Sequence, residues 1–242
     1  MLSIIVPTLN EEKYLPLLLQ SIKEQSFRDL EIVVADAGST DRTVEIAKEY
    51  GCRIVKGGLP ARGRNQGALE AKGDIFLFLD ADLVLQKDSL GRLLDEFKKR
   101  DLSIATCCLG SVSGSRREKF FYDFFYNFYI MIVERIFPHG AILIMVRRNV
   151  HEAVNGFDET IKLAEDHFYT RQVAKLGKFG ILKSANILAS PRRFERDGWF
   201  TTYIKYLLCE IHLVFLGPVR TDIFEYEFDH YEKKDNDKNL KI

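Results

Sequence analysis

Several features of membrane, secreted and nucleic-acid-binding proteins are missing from this chain of 242 residues. No uncharged apolar run reaches the roughly 20 residues that a transmembrane helix needs. The amino terminus starts with a strand pattern, LSIIVP, and lacks the basic segment and cleavage site of a secretory signal. Acidic and basic residues balance at 35 each, so no overall field attracts nucleic acid or an anionic membrane. The sequence therefore predicts a cytoplasmic protein without a nucleic-acid partner.

Cysteine is also scarce, and its spacing matches no paired metal motif. The four cysteines are Cys52, Cys107, Cys108 and Cys209. Cys107 and Cys108 lie in an apolar stretch, where small buried side chains are the better interpretation. Nothing in this pattern requires an oxidising compartment.

What the chain does have is an alternation of strand and helix patterns through about residue 105. Near-continuous apolar runs, typical of parallel strands buried on both faces, occur at Leu2–Val6, Leu30–Ala35 and Ile75–Leu79. The first helix is expected from about Glu11 with Asn10 as its N-cap, and the second to be capped by Ser39 or Thr40. This order predicts an α/β fold with a doubly wound, mainly parallel sheet.

The second half is richer in aromatic residues and mixes the two patterns. We expect helices over Glu118–Arg135 and Glu165–Leu176, and a strand over Ala141–Val146. No internal repeat or low-complexity linker separates the halves, which indicates a single domain. With 242 residues the chain is long enough to bury a sizeable core.

The most informative segment is FLFLDADLV at residues 76–84, where an apolar strand ends in Asp80 and Asp82. Carboxylates are hard oxygen ligands that suit Mg²⁺ or Mn²⁺ shared with a diphosphate. The carboxyl ends of strands are also where open α/β sheets bind their ligands. A solvated turn is the alternative, because Asp is common where strands end.

Two further loops are expected at the same edge of the sheet, PTLNEE at 7–12 and DAGSTDRT at 36–43. Asp36 could accept hydrogen bonds from a nucleobase or ribose, or it could form a local turn before a glycine. Arg62 and Arg64, in the segment ARGRNQG, could bind the base or phosphates of a nucleotide, or lie on a solvated helix face.

Four of these blocks, in this order and spacing, resemble the inverting glycosyltransferases of family 2, which have the GT-A fold: SIIVPTLNEE, DAGSTDRT, ARGRNQGA and FLDADLVL. The resemblance continues into NGFDE (155–159) and LAEDHFYTRQVAKLG (163–177), which are similar to the acceptor-side segment of that family. It implies transfer of a sugar from a UDP- or GDP-linked donor to an acceptor hydroxyl or phosphate, with Mn²⁺ or Mg²⁺ as the cofactor.

The resemblance also implies a set of donor-binding residues. They are Pro7, Thr8, Asn10, Glu11, Asp36, Arg62, Asp80, Ala81, Asp82, Arg192 and Arg193. Asp82 with Asp80 matches the metal-binding element, whose cation neutralises charge on the leaving nucleoside diphosphate. Arg192 and Arg193 match basic residues of a loop that closes over the diphosphate, since a planar guanidinium binds phosphate oxygens in pairs. A solvated loop is the alternative.

Inversion at the anomeric carbon requires a base on the face opposite the leaving group. Asp166 matches the base of the family, and Glu165 matches a supporting residue. The alternative is a pair of acids that stabilise a helix amino terminus through its dipole. His167 beside them is either a metal or acceptor contact or a partly buried spacer.

The resemblance predicts one glycosyltransferase domain over residues 1–200, with a nucleotide-sugar half over about 1–105 and an acceptor half over 106–200. A C-terminal amphipathic helix and polar tail should follow over 201–242. Residues 120–137 and 199–219 are too interrupted to cross a bilayer. They suit a lipid-linked glycan or polyprenyl phosphate acceptor and contact with the inner membrane surface, or else ordinary core or a homodimer seam.

Two other functions stay open at this stage. The segment DADLV resembles the motif of haloacid-dehalogenase-type phosphohydrolases, in which Asp80 would be a covalent nucleophile. That motif belongs on the first strand of its fold, whereas here three strand–helix units precede it. A non-catalytic nucleotide-sugar-binding protein is the second alternative, which the intact acids Asp36, Asp80, Asp82 and Asp166 disfavour.

Overall fold

The computed structural model describes residues 1–112, 115–134, 138–140 and 143–221. In the first half, strands alternate with helices as predicted. The strands are β1 (Leu2–Thr8), β2 (Leu30–Asp36), β3 (Arg53–Lys56), β4 (Ile75–Leu79) and β5 (Leu83–Leu85). The helices are α1 (Leu15–Lys23), α2 (Thr43–Glu49), α3 (Pro60–Glu70) and α4 (Ser89–Lys99).

The second half contributes three more strands and most of the helices. The strands are β6 (Ile104–Ser111), β7 (Leu143–Arg147) and β8 (Phe179–Ala189). The helices are α5 (Arg116–Phe121), a π-helix (Tyr122–Asn127), α6 (Phe128–Val133), α7 (Arg148–Ala153), α8 (Glu165–Ala174), α9 (Arg192–Asp197) and α10 (Trp199–Phe215). Arg135 and Ala141, at the ends of two predicted elements, and the predicted polar tail beyond residue 221 lie outside the described residues.

The eight strands within the described residues form one sheet in the order β3-β2-β1-β4-β7-β6-β8-β5. The first four strands are parallel, which confirms the α/β fold class expected for this half. Strand β7 runs antiparallel to both β4 and β6, β8 runs parallel to β6, and β5 runs antiparallel to β8. The sheet is therefore mixed beyond β4, because β7 enters it from the opposite direction.

The core lies on both faces of the sheet because neighbouring strand residues point to opposite sides. Ile4 and Leu77 pack on one face with the apolar sides of α1 and α4. Ile5 and Phe78 pack on the other face with α3 and with Tyr169 of α8. Every residue of β4 is buried, which confirms that this apolar run is a strand covered on both sides.

Helix α3 lies very close to β1 at Gly67. A Cβ atom at this position would come within 2.4 Å of Ile5 Cγ2, so no larger residue fits at this separation. Arg64 lies one turn earlier on the same helix and is also buried. The glycine thus sets how closely α3, and with it Arg64, is held against the sheet.

Two predicted helix caps are wrong. Helix α1 begins at Leu15, and Asn10 lies before it with a positive φ of 52°, a conformation that asparagine tolerates. Its Oδ1 accepts the backbone N–H of Thr40, 2.9 Å away. Helix α2 begins at Thr43, after both predicted cap residues. These polar side chains bind the neighbouring loop because it lies closer than their own helix end.

Candidate functional site

The loops after β1 and β2 are joined at the carboxyl edge of the sheet. The strand register places Thr8 beside Asp36, and the Thr8 hydroxyl donates to Asp36 Oδ1 over 3.0 Å. Asp36 is buried, and its Oδ2 accepts the backbone N–H groups of Gly38 and Ser39 at 2.9 Å each. The local turn expected as one alternative for Asp36 is therefore present.

The backbone of the first loop is fixed by hydroxyl groups of the second loop. Asn10 N–H donates to Ser39 Oγ at 2.9 Å, and Glu11 N–H donates to Thr43 Oγ1 at 2.7 Å. Pro7, half-buried, pairs with the backbone of β2 in the strand register. The predicted donor residues of these loops thus come together at one part of the sheet edge: Pro7, Thr8, Asn10, Glu11 and Asp36.

Arg64 connects the loop after β4 with the start of α8. Its Nη2 lies 3.0 Å from Asp80 Oδ1, and its Nη1 lies 2.6 Å from Glu165 Oε1. Burial by itself would lower the pKa of the Arg64 guanidinium, but the two carboxylates outweigh it and raise that pKa. Burial raises the pKa of Glu165 despite the opposing effect of Arg64. One buried cation therefore brings together residues far apart in sequence.

Arg192 makes a second connection from the C-terminal side. Its Nη1 and Nη2 bind the two carboxylate oxygens of Glu11 at 2.8 and 2.9 Å, and its Nε lies 2.8 Å from Asp82 Oδ2. The guanidinium carbon lies 4.8 Å from the ring centre of Tyr14. Burial raises the pKa of Glu11 to about 7, although Arg192 opposes the rise.

The surroundings of three other predicted donor residues, Arg62, Ala81 and Arg193, differ from one another. Arg62 is exposed, and its side chain lies against Gly58. Ala81, between the two aspartates, is buried and packs in the hydrophobic core. The structure describes the backbone of Arg193 as part of α9, but its side chain lies outside the described part of the chain.

Asp166 lies in the first turn of α8, directly after Glu165. Its side chain is 20% exposed, and its Oδ1 is 3.7 Å from His167 Nε2. The backbone here is crowded, since a Cβ atom at Gly140 would come within 2.5 Å of the Asp166 carbonyl oxygen. The position is favourable for a helix-terminal acid, and it also places this carboxylate next to the acid that Arg64 binds.

Sequence reasoning missed a cluster beside Asp166, formed by His139, His167, Arg171 and Glu210. Glu210 of α10 hydrogen-bonds to His167 Nδ1, and its Oε2 lies 3.0 Å from Arg171 Nη2. His139 Nε2 is 3.8 Å from Glu210 Oε1. Among these residues the sequence pattern points only to His167, because the other members are distant in sequence and belong to no shared motif.

The charges in this cluster perturb one another strongly. Burial favours the neutral form of Glu210, but the hydrogen bond from His167 and the nearby cations lower its pKa to about 2. Burial and the neighbouring His167 hold the pKa of His139 well below its usual value. Asp166 and Glu210 raise the pKa of His167 against the effect of burial.

The described parts of segments 120–137 and 199–219 contribute partly to the core and partly to the surface. Tyr122 and Ile130 are buried, whereas the stacked rings of Phe120, Phe124 and Phe128 are 58%, 53% and 51% exposed. Helix α10 also exposes several apolar residues: Phe200, Ile204, Leu207, Leu208, Ile211 and Phe215. Over the described ranges, every helix is too short or too polar to cross a bilayer.

Comparison with solved structures identifies the fold. Residues 1–349 of Staphylococcus aureus TarS, crystallised with UDP-GlcNAc, align with a TM-score of 0.64 and 25% identity over 78% of this chain and 58% of that chain. The mannosyltransferase PcManGT from Pyrobaculum calidifontis, crystallised with GDP-Man and Mn²⁺, aligns with a TM-score of 0.62 and 20% identity over 78% of this chain and 56% of that chain. These likenesses confirm the predicted fold.

Sequence comparison leads to the same group. The poly(ribitol-phosphate) beta-N-acetylglucosaminyltransferase TarS of S. aureus (strain Mu50) is 37% identical over an alignment of 98 residues that covers 36% of this chain and 17% of TarS. The match thus spans about a sixth of that protein. The family model described as glycosyl transferase family 2 matches residues 3–168, well over half of the sequence. The chain therefore belongs to glycosyl transferase family 2.

Proposed function

We propose that this protein transfers a sugar from a nucleotide-diphosphate sugar to an acceptor hydroxyl or phosphate, with inversion at the anomeric carbon. The observation that carries the proposal is the double ion pair of Arg64, which joins Asp80 to Glu165. It links Asp80 to the residue directly before Asp166, which supports a single site for the residues proposed for the donor and for the acceptor. Family membership makes the phosphohydrolase interpretation of DADLV unnecessary.

A divalent cation, Mn²⁺ or Mg²⁺, fits the proposed donor side. Asp80 and Asp82 have side chains that are 32% and 18% exposed, and carboxylate oxygens are the ligands that both ions prefer. When bound, the cation would neutralise charge on the departing nucleoside diphosphate. We assign Asp82, with Asp80, to this cation.

The remaining proposed donor residues surround these acids. Glu11 and Asp82 share Arg192, whose guanidinium is suited to exchange these carboxylates for diphosphate oxygens. Thr8, Asn10, Glu11 and Asp36, together with Pro7, are assigned to the nucleoside, and Ala81 is assigned to the donor site. Arg62 is assigned to the base and Arg193 to the phosphates.

Asp166 is the proposed general base. Inversion requires a base that removes the acceptor proton on the face opposite the leaving group. Glu165 is bound by Arg64 and is buried, so it is less suited to receive that proton. Asp166 is more accessible and lies in the first turn of the same helix.

Nucleotide binding tests the donor site. In a thermal-shift panel of UDP, GDP, dTDP and CDP with and without Mn²⁺, we expect one nucleotide, UDP or GDP, to raise Tm in a metal-dependent manner. At about 100 times Kd the stabilisation is about 2.7 kcal/mol, which corresponds to about 5–10 °C for a chain of this size.

The matched variants are Asp82→Asn and Asp95→Asn. Asp95 is an exposed acid of α4, so its replacement should leave the shift unchanged. Asp82→Asn should remove the metal-dependent part. A wild-type protein that no nucleotide stabilises would contradict the donor site, whereas binding without any turnover over a broad acceptor panel would favour a non-catalytic binding protein.

We further propose that the acceptor is lipid-linked, either a polyprenyl phosphate or a lipid-linked glycan. The exposed apolar residues of α10 support this, because Ile204, Leu208, Ile211 and Phe215 repeat at helical spacing on one side of the helix. The same helix carries Glu210, which contacts His167 beside the proposed base. The row of Phe120, Phe124 and Phe128 adds a second apolar surface. Such surfaces suit contact with the inner membrane surface.

Charged substitutions in these surfaces should reduce membrane binding. We expect Phe124→Glu combined with Ile211→Glu to weaken co-sedimentation with phosphatidylcholine–phosphatidylglycerol vesicles at least tenfold, since each change places a charge in the interface. Leu69→Glu, at an exposed apolar residue of α3, is the control and should have no effect. A wild-type protein that ignores vesicles and uses a water-soluble acceptor equally well would contradict the proposal. A doubled mass in light scattering, lost in the double variant, would assign the surfaces to a homodimer.

A further inference from the structure

A compact group of nitrogen and oxygen ligands lies beside Asp166 and contains none of the acids of the proposed donor site. One ligand atom from each of His139, His167 and Glu210 lies within 4.8 Å of the others. The two imidazole rings have their centres 3.7 Å apart. His139 is buried, and the side chains of His167 and Glu210 are only 19% and 14% exposed. Three segments that lie far apart in the sequence therefore converge on one small space.

The orientation of Glu210 suits a ligand in that space. Its Oε2 is bound by Arg171 at 3.0 Å, while its Oε1 faces both imidazoles. Arg171 thus fixes the carboxylate from behind, as outer partners of metal-binding carboxylates do. Asp166, 3.7 Å from His167 Nε2, supplies a further negative charge nearby. The charges of Arg171 and Glu210 offset each other, so the surroundings do not repel a cation.

The chemistry of these ligands differs from that of Asp80 and Asp82. Two imidazoles and one carboxylate are a ligand set that Zn²⁺ and similar transition metals prefer, whereas oxygen-only sets suit Mg²⁺ and Mn²⁺. An imidazole–carboxylate hydrogen-bond network is the competing explanation for the same cluster.

We propose that His139, His167 and Glu210 form a second metal site, selective for Zn²⁺ or a similar transition-metal ion. The ion would hold α10 and the segment 138–140 against the start of α8, next to Asp166. Three protein ligands leave a coordination position for water. The site is thus a positioning device for the acceptor side and is separate from the cation of the donor side.

The experiment is zinc loading of the full chain. The protein is stripped with a chelator, incubated with Zn²⁺, desalted and analysed by mass spectrometry for metal content. We expect about one tightly bound zinc ion per chain in the wild type and in Asp82→Asn, and a loss of at least tenfold in the zinc content of His139→Ala and Glu210→Gln.

Zn²⁺ at about 100 times Kd should also raise the Tm of the wild type by about 5–10 °C, whereas it should not raise the Tm of either cluster variant. Co²⁺ should give the visible absorption of a four-coordinate ion in the same proteins that bind zinc.

His212→Ala is the matched control, because it removes a histidine from the same helix two residues beyond Glu210. It should retain the zinc. Circular dichroism and melting of the metal-free proteins separate a lost ligand from a lost fold, and His139→Ala removes the side chain with the longer contact to Glu210. A wild type that retains no zinc after desalting would overturn the proposal, as would equal zinc content in the wild type and both folded cluster variants, or zinc that is lost in Asp82→Asn alone.

Discussion

Replacement of Asp166 by asparagine is expected to abolish sugar transfer while donor binding stays within a few fold of the wild type. Asparagine has nearly the same shape as aspartate but cannot accept the acceptor proton, and a positioned general base contributes about 10²–10⁴ to the rate. The donor contacts proposed for the loops after β1, β2 and β4 remain intact. Release of nucleoside diphosphate measures turnover, and the thermal shift with the nucleotide and Mn²⁺ measures donor binding.

Glu165→Gln is the informative comparison, since it alters the neighbouring carboxylate on the same helix. Glutamine can still accept a hydrogen bond from Arg64, so this variant should retain more turnover than Asp166→Asn. An inactive Glu165→Gln together with an active Asp166→Asn would assign the base to Glu165. Equal loss of donor binding in Asp166→Asn and Asp82→Asn would contradict the division of roles between the two acids.

Replacement of Arg64 by methionine is expected to lower the free energy of unfolding by about 3–5 kcal/mol. Methionine keeps much of the volume but leaves Glu165 without its cation in a buried site and removes the ion pair of Asp80. Donor binding should fall as well, because the acids after β4 would lose their fixed position. Urea unfolding and the nucleotide thermal shift measure the two effects.

Arg62→Met is the control for this change. Arg62 lies on the same helix two residues earlier and is exposed, so the free energy of unfolding should change by less than about 0.5 kcal/mol. Arg64→Lys should recover only part of the loss, because a single ammonium group cannot present two separate N–H donors in a planar fork. If Arg64→Met unfolds at the same urea concentration as Arg62→Met, the buried ion pairs do not stabilise this site.

Much of the sheet was predictable because its strands are near-continuous apolar runs. The run that ends in Asp80 predicts a strand with both faces covered, and β4 is buried throughout. The parallel order of the first four strands followed from the helices between them. That alternation also places the loops after β1, β2 and β4 at one edge, where the structure joins Thr8 to Asp36.

The predicted caps failed for a physical reason that local sequence does not contain. A polar side chain at a helix start can bind its own helix or a neighbouring loop, and the choice depends on which donor is closer in space. Asn10 binds the backbone of Thr40 because the parallel register of β1 and β2 brings the two loops together. The same limit applies to β7, whose antiparallel direction no local pattern indicated.

By itself the sequence determined the chemical types and the chain order of the candidate residues: the acids after β4, the acid pair at the start of α8 and the arginines of α3 and α9. The tertiary structure decided their partners. In the folded chain Arg64, and not Arg62, is the buried cation. Arg192 pairs with both Glu11 and Asp82. His139, His167 and Glu210 come together in one cluster. Helical and strand periods act over a few residues, whereas ion pairs form between segments that only packing brings together, so their geometry is a property of the folded chain.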